Sequence, residues 1–306
     1  MRAGFGGGRL AMAAAIGLAM AVPAWAQAPG GPTGAMDGQT PSGPAPSPAA
    51  AAAAPSAADL AKKLANPISD LVSIPFQFNW DEGVGPDEDL RFGLNIQPVV
   101  PMSISDEWNL IGRFILPVLS QPPLVAGGET HFGTSDIVLS TFFSPKQGKL
   151  IWGVGPVLSL PTTSDPLLGS GKWSAGPTFV VLRQHGPWTA GLLAQQLWSF
   201  ANTGNLDRDD VNAMYVQPFL AHSWKSGVTL TLSSETTANW EAESGKQWTV
   251  PLILQVSKVS RLGPFPFSMG LGGGYYLEEP GSGPKWKLRM NFAVLLPRAA
   301  PSGPAK

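Results

Sequence analysis

The chain contains no cysteine and little charge. The absence of cysteine from its 306 residues excludes a disulfide scaffold, a thiolate zinc site and a cysteine nucleophile. Only 13% of the residues are charged, about half the share that is usual in soluble domains, so we expect much of the surface not to face water. The net charge of -1 argues against nucleic acid as a partner, because phosphate binding needs a clustered excess of Lys and Arg.

Histidine is scarce as well. His131, His185 and His222 lack the spacing of a metal or hydrolase motif, so we expect no metal site, no cofactor and no catalytic site. The pair His222-Ser223 would suit a lipid-hydrolysing barrel, but neighbours on one strand point to opposite faces and cannot form a dyad directly. A serine from another strand stays open as a partner of His222.

The N-terminus has the features of an export signal. Arg2 and Arg9 precede an apolar run from Leu10 to Val22, and Ala24-Trp25-Ala26 supplies an A-x-A cleavage site. We therefore predict a signal peptide at residues 1–26, with an uncleaved membrane anchor as the alternative. The Ala, Pro and Gly-rich residues 27–63 predict a disordered linker, in which a short helix over Asp59–Leu64 stays open.

After Asp70 the apolar residues recur with a period of two, and no later apolar run is long enough for a membrane helix. In the last such segment Trp286, Leu288 and Met290 share one face, while Lys287 and Arg289 lie on the other. We predict strands near 71–80, 91–101, 107–119, 135–144, 149–160, 172–183, 187–199, 211–223, 226–236, 246–258, 265–276 and 285–296.

The connections between these strands alternate in length. Those after odd-numbered strands are long, beginning with Asp81 to Leu90, whereas those after even-numbered strands are mostly tight, as at Trp224-Lys225. Bacterial outer-membrane barrels have this asymmetry, with short periplasmic turns and longer extracellular loops, and a soluble sandwich has no reason for it. The sequence thus predicts an all-β fold, a transmembrane antiparallel up-and-down β-barrel of about 12 strands over residues 64–298, with a disordered tail at 299–306.

The positions of tryptophan support the predicted barrel, whereas the positions of proline predict irregular strands. Ten of the eleven tryptophans fall near the ends of the predicted strands, as two interfacial girdles would require. Proline removes a ladder donor, so we expect strands to bulge or bend where it occurs. The glycines that precede Pro156 and Pro177 are candidate bulge positions, and the glycine-rich segment Gly270–Gly274 indicates close packing or curvature.

The alternation also selects polar residues for the inner face. If it holds, these residues line the lumen, where they either conduct solutes or pair across a narrow barrel and plug it. The predicted lumen-lining residues are Asn95, Gln97, Asn109, Arg113, Asp136, Glu235, Gln255, Lys287, Arg289 and Asn291.

Several short segments resemble one family, the outer-membrane transporters grouped as the meta-pathway phenol-degradation family, some of which are misnamed neuromedin U. The segments that carry the resemblance are 64–79, 94–101, 107–113, 143–145, 152–156, 161–165, 186–188, 217–219, 248–251 and 283–286. The resemblance implies an outer-membrane barrel that moves small organic, including aromatic, compounds, and it supplies no catalytic motif.

The leading hypothesis is therefore a non-enzymatic channel or transporter in the cell outer membrane, with membrane lipid and small organic solutes as partners. The alternatives are a structural or surface-binding barrel without transport and, third, a lipid-modifying enzyme.

Overall fold

The structure is a computed structural model that describes residues 55–204, 208–281 and 283–296. The predicted signal peptide, most of the linker and the C-terminal tail lie outside these residues. Among the described residues, no helix is long and apolar enough to cross a membrane. The elements are α1 (Ala57–Leu64), β1 (Val72–Val84), β2 (Asp89–Ile96), β3 (Val99–Ser103), β4 (Trp108–Gln121), β5 (His131–Thr134), β6 (Ile137–Pro145), β7 (Ile151–Leu160), a 3-10 turn (Pro166–Leu168), β8 (Lys172–His185), β9 (Trp188–Asn202), β10 (Asn212–Ser223), β11 (Val228–Ser234), β12 (Thr236–Asn239), β13 (Trp248–Leu262), β14 (Phe265–Glu278) and β15 (Trp286–Leu296).

These segments form a closed antiparallel barrel of twelve strands, which confirms the predicted fold. Three barrel strands are interrupted, so that β2 with β3, β5 with β6 and β11 with β12 each make one strand. The first and last strands close the barrel, with Val72 opposite Leu296 and Glu82 opposite Trp286. Closure leaves no free sheet edge, which a sheet in hydrocarbon requires.

The outer face is apolar. On β13 the outward Leu252, Leu254 and Val256 are 44%, 52% and 51% exposed, whereas the inward Ile253 is 1% exposed. Large apolar side chains exposed in such a belt are stable against lipid rather than water. The barrel therefore has the surface of a membrane-spanning protein.

Two prolines on neighbouring strands face each other and interrupt the hydrogen-bond ladders around them. Pro156 on β7 lies directly opposite Pro177 on β8. Opposite residues in an antiparallel pair alternate between exchanging two hydrogen bonds and exchanging none, so two prolines can face each other in a pair of the second kind. The ladders to the strands on the far sides, β6 and β9, are interrupted at the same level.

The glycines before these prolines permit a close approach of the backbones. A Cβ on Gly155 would lie 2.0 Å from the carbonyl oxygen of Thr141, and one on Gly176 would lie 1.8 Å from that of Gln196. The register is the same on both sides of each interruption, so these glycines are close approaches and not the bulges that the sequence suggested; the register shift between β8 and β9 lies at Trp173 and Ser174.

Several element boundaries differ from the prediction, and two of these differences affect the interior of the barrel. The connection expected from Asp81 to Leu90 is mostly strand, because β1 continues to Val84 and β2 begins at Asp89. The linker expected through residue 63 contains a helix, α1, as the open alternative at Asp59–Leu64 had suggested. A capping box explains the helix, since the Ser56 hydroxyl accepts from the Asp59 N–H and the Asp59 carboxylate accepts from the Ser56 N–H.

Helix α1 packs at the short-turn end of the barrel. Leu60 and Ala61 form a buried cluster with Val259, Ala293 and Leu295 from the last strands. The side-chain amide of Gln184 donates to the carbonyl oxygen of Lys62 at 2.9 Å, which fixes the helix against β8. The helix and the chain that follows it thus close this end of the barrel interior.

Candidate functional site

A group of charged and polar side chains inside the barrel, which we call the inner polar network, begins at Asp81 on β1. The Asp81 carboxylate accepts from the Tyr276 hydroxyl at 2.8 Å and from Arg91 at 3.0 Å, and it pairs with the Lys287 ammonium at 2.8 Å. Asp81 is 4% exposed. Two cations and a hydroxyl compensate this buried carboxylate, as burial of a charge requires.

The second part of the network centres on Arg289, which is 3% exposed. Its guanidinium donates two parallel hydrogen bonds of 2.6 Å to the two oxygens of Glu235 and a third, of 2.8 Å, to the Asn79 side chain. The bidentate geometry is the strong form of an Arg–carboxylate pair. Since Glu235 falls between β11 and β12, this pair spans the two intervening strands β13 and β14.

Glycines on β14 make room for this contact. Gly272 lies opposite both Arg289 and Gln255 in the sheet register. A Cβ on Gly272 would lie 2.8 Å from the Leu254 carbonyl oxygen and 3.0 Å from the Gln255 Cβ. The close packing expected for Gly270–Gly274 is present, and its effect is to leave the inner surface open beneath the Arg289 side chain.

Amides continue the network toward the short-turn end. Arg113 donates to the Gln97 side chain at 2.7 Å, and the Asn291 amide donates to Gln255 at 2.8 Å. The Asn291 Oδ1 atom is buried and has no hydrogen-bond partner among the described residues. It is therefore an acceptor that a bound molecule could satisfy.

The structure brings seven of the ten predicted residues into this network and places three elsewhere. Asn95 lies opposite Gln77, and Asn109 lies opposite Ser144. Asp136 lies at the junction of β5 and β6, where it accepts hydrogen bonds of 2.7 Å from the N–H and hydroxyl of Ser170. The seven network members are Gln97, Arg113, Glu235, Gln255, Lys287, Arg289 and Asn291.

Sequence reasoning missed five polar residues that join this network, which are Gln77, Asn79, Asp81, Arg91 and Tyr276. The predicted first strand ends at Trp80, which leaves Asp81 in the connection that follows, and Asn79 is not among the predicted lumen-lining residues. Arg91 and Tyr276 are also absent from the predicted lumen-lining residues. Continued alternation along β1 is the signal that would have found Asn79 and Asp81, because both have the parity of Gln77.

A cavity of about 240 Å³ lies between the network and helix α1. Its polar wall includes Glu235, Gln255, Arg289 and Asn291, and hydroxyls of β11 extend this wall. Ala61 and Leu64 of the helix, with Phe219 of β10, form an apolar wall. The cavity is therefore amphipathic, and the helix separates it from the short-turn end.

The rest of the barrel interior at the short-turn end is filled by apolar side chains and is not lined by polar ones. Ile68, which follows the helix, packs in a buried cluster with Ile111, Phe142, Leu182 and Leu193. Simple alternation of apolar outside and polar inside therefore fails in this half. The reason is that the segment after α1 enters the barrel and supplies an apolar partner for inward-facing side chains.

The loops at the opposite end hold a separate polar contact. His131 Nδ1 lies 2.8 Å from the Asp165 carboxylate, which also accepts from the Leu167 N–H at 2.8 Å. The backbone hydrogen bond from Leu167, followed by that from His131, holds the pKa of Asp165 below its usual range. This pair ties the loop between β7 and β8 to β5.

His222 has no serine partner among the described residues. Its ring lies on the outer face between Trp188 and Trp224, with ring centroids 4.6 and 4.4 Å away, and its Nδ1 atom has no hydrogen-bond partner there. Ser223 points inward and its hydroxyl lies 2.9 Å from that of Thr229. The geometry gives His222 an aromatic environment and not that of a general base.

Comparison with known proteins supports the fold. No protein-family model and no curated protein matches the chain. Among solved structures, the chain is similar to the COG4313 outer membrane channel from Pseudomonas putida F1, with 16% identity and a TM-score of 0.59 over 74% of this chain and 94% of that one. It is also similar to the NanC porin, with 10% identity and a TM-score of 0.48 over 74% of this chain and all of that one. Outer membrane phospholipase A from Escherichia coli aligns at 11% identity and a TM-score of 0.41 over 80% of this chain and 99% of that one.

Proposed function

We propose that the protein is a non-enzymatic outer-membrane channel for small organic solutes. The observation that carries this proposal is the amphipathic cavity inside the barrel, with a charged and amide wall facing an apolar one. Ligand pockets have this composition, mostly apolar with a few placed polar groups. The resemblance to the meta-pathway phenol-degradation transporters agrees with the same class of solute.

The cavity volume limits the solute size. A dry protein cavity of about 150 Å³ accommodates benzene, so 240 Å³ suits a single aromatic ring with a polar substituent. Arg289 and the free acceptor of Asn291 would contact the polar substituent, and Leu64 and Phe219 would contact the ring. We propose that all ten predicted residues influence passage. Four of them line the cavity and would contact the solute directly: Glu235, Gln255, Arg289 and Asn291.

Passage requires helix α1 to move, because it covers the cavity. Planar-bilayer recordings and swelling of proteoliposomes in sodium benzoate test this. Leu60 is 1% exposed, so Leu60→Asp places a charge in the apolar cluster and should displace the helix. We expect low conductance from the unsubstituted protein and a rise of tenfold or more with Leu60→Asp, accompanied by benzoate entry.

The matched control is Lys62→Ser on the same helix, because the contact of Lys62 with the barrel uses its backbone carbonyl. It should conduct like the unsubstituted protein. If both variants and the unsubstituted protein neither conduct nor admit benzoate, while heat-modified gel mobility shows a folded barrel, the channel proposal is wrong.

A further inference from the structure

The cations of this barrel differ between its two ends. At the long-loop end and in the network, Arg91, Lys172, Lys246, Lys287 and Arg289 each lie within 3.0 Å of a carboxylate oxygen. At the short-turn end, Lys149, Arg183, Lys225 and Lys258 have no hydrogen-bond or ionic partner among the described residues, and all four are exposed. We call these four residues the basic band.

The basic band follows the outer surface across neighbouring strands. Lys149 precedes β7, Arg183 is near the end of β8, Lys225 is in the turn after β10, and Lys258 lies opposite Val228 at the start of β11. Arg183 and Lys258 point outward, since their neighbours Leu182 and Val259 are buried inside. The band therefore surrounds one side of the barrel close to the short-turn rim.

Aromatic rings mark the depth of this band in the membrane. Trp188 and Trp224 flank the His222 ring and are 48% and 44% exposed. Neither indole N–H has a hydrogen-bond partner among the residues that the structure describes. Indole rings favour the interface between hydrocarbon and headgroups, where the N–H can bond to polar lipid atoms. The free cations thus lie at headgroup depth.

We propose that the basic band, with Trp188 and Trp224, binds anionic phospholipid in the periplasmic leaflet of the membrane. The lipid phosphates would lie against Arg183, Lys225 and Lys258, and the acyl chains would lie on the apolar belt beside them. The short turns and the N-terminal helix mark this end as periplasmic. The proposal is independent of solute passage, because none of these side chains lines the cavity.

Charge complementarity identifies the lipid class. Cations close to a membrane surface attract anionic lipid with a contribution of roughly fivefold in affinity for each residue, and zwitterionic lipid gains little from them. Of the four described carboxylates at this end, Asp59 and Asp70 are engaged with Ser56 and Lys63, and Asp106 and Glu107 lie in the turn between β3 and β4, outside the strands that carry the band. They therefore leave the four cations of the band uncompensated.

Native mass spectrometry of the full chain in neutral detergent tests the proposal, with phosphatidylglycerol and phosphatidylcholine titrated separately. The double variant Arg183→Gln/Lys258→Gln should bind phosphatidylglycerol about 25-fold more weakly, the product of two fivefold losses. The control, Lys246→Gln/Lys285→Gln, removes two exposed cations from the long-loop end and should change binding less than twofold. Phosphatidylcholine should show no difference among the three proteins.

The unsubstituted protein provides a second test that does not depend on folding of a variant. Raising NaCl from 50 to 500 mM should release phosphatidylglycerol, since screening weakens exposed ionic contacts, and should leave bound phosphatidylcholine unchanged. Equal retention of the two lipids, loss of phosphatidylglycerol in the control variant to the same extent, or full displacement by 10 mM inorganic phosphate would overturn the proposal.

Discussion

At the residue scale, the inner polar network contains buried ion pairs in which each charge compensates the other. Arg289 and Glu235 were both predicted as inward residues from strand alternation alone. Their contact across two strands was not predictable, because it depends on side-chain reach and on the glycines of β14. The predicted first strand ends four residues before the end of β1, so Asp81 is not among the predicted inward residues.

Glu235→Gln should lower the free energy of unfolding by about 3–5 kcal/mol, because it leaves the Arg289 guanidinium buried without its counter-charge. Urea titration in lipid vesicles measures this. Glu243→Gln is the control, since the Glu243–Lys246 pair is exposed and screened by water, and it should leave the free energy of unfolding nearly unchanged. Equal effects of the two substitutions would show that the network does not stabilise the barrel.

Gly272→Ala should destabilise the barrel by about 1–3 kcal/mol, because the new methyl group would contact the Leu254 carbonyl oxygen and Gln255. The neighbouring Gly273→Ala is a matched control: its Cβ would meet no atom closer than 3.7 Å. The same urea titration compares them. A larger loss for Gly273→Ala than for Gly272→Ala would contradict the assignment of inner and outer faces on β14.

At the element scale, the strands followed from alternation and connection length, and all twelve predicted strands correspond to barrel strands in the structure. Helix α1 was only an open alternative, because eight residues with an alanine-rich beginning carry little helical signal by themselves. Its position is set by packing of Leu60 and Ala61 against the barrel wall, which local sequence does not reveal.

The capping box makes the docking of α1 sensitive to acid. Hydrogen bonds from the Ser56 hydroxyl and then from the Ser56 backbone lower the pKa of Asp59 from its ordinary value of 3.8. The corresponding stabilisation is present above pH 3.8 and is lost as the pH falls through the lowered pKa. We expect the fluorescence of a label on Lys62→Cys to report helix release below about pH 4.

Ser56→Ala is the control for this experiment. It removes the cap, so the helix should be less firmly docked at neutral pH, by about 1 kcal/mol, and should lose most of the acid-dependent step. An unchanged acid transition in Ser56→Ala would assign the pH dependence to groups other than Asp59.

At the scale of the whole molecule, the account depends on one surface facing lipid and the other enclosing a polar network and a cavity. Composition and alternation predicted the outer surface well, since hydrocarbon contact imposes the same apolar requirement along every strand. They predicted the interior less well, because the N-terminal segment fills its lower half with apolar side chains such as Ile68. The alternation rule considers each strand separately, so it does not predict that another segment of the chain enters the barrel.

Spin-label accessibility along β13 tests this division most directly, and the chain offers no native cysteine to interfere. Single cysteines at Leu254, Gln255, Val256 and Ser257 would be labelled in the barrel reconstituted in bilayers. We predict frequent collisions with molecular oxygen, which concentrates in hydrocarbon, at 254 and 256, and infrequent collisions at 255 and 257. Uniform accessibility at the four positions, or the reverse alternation, would contradict the account.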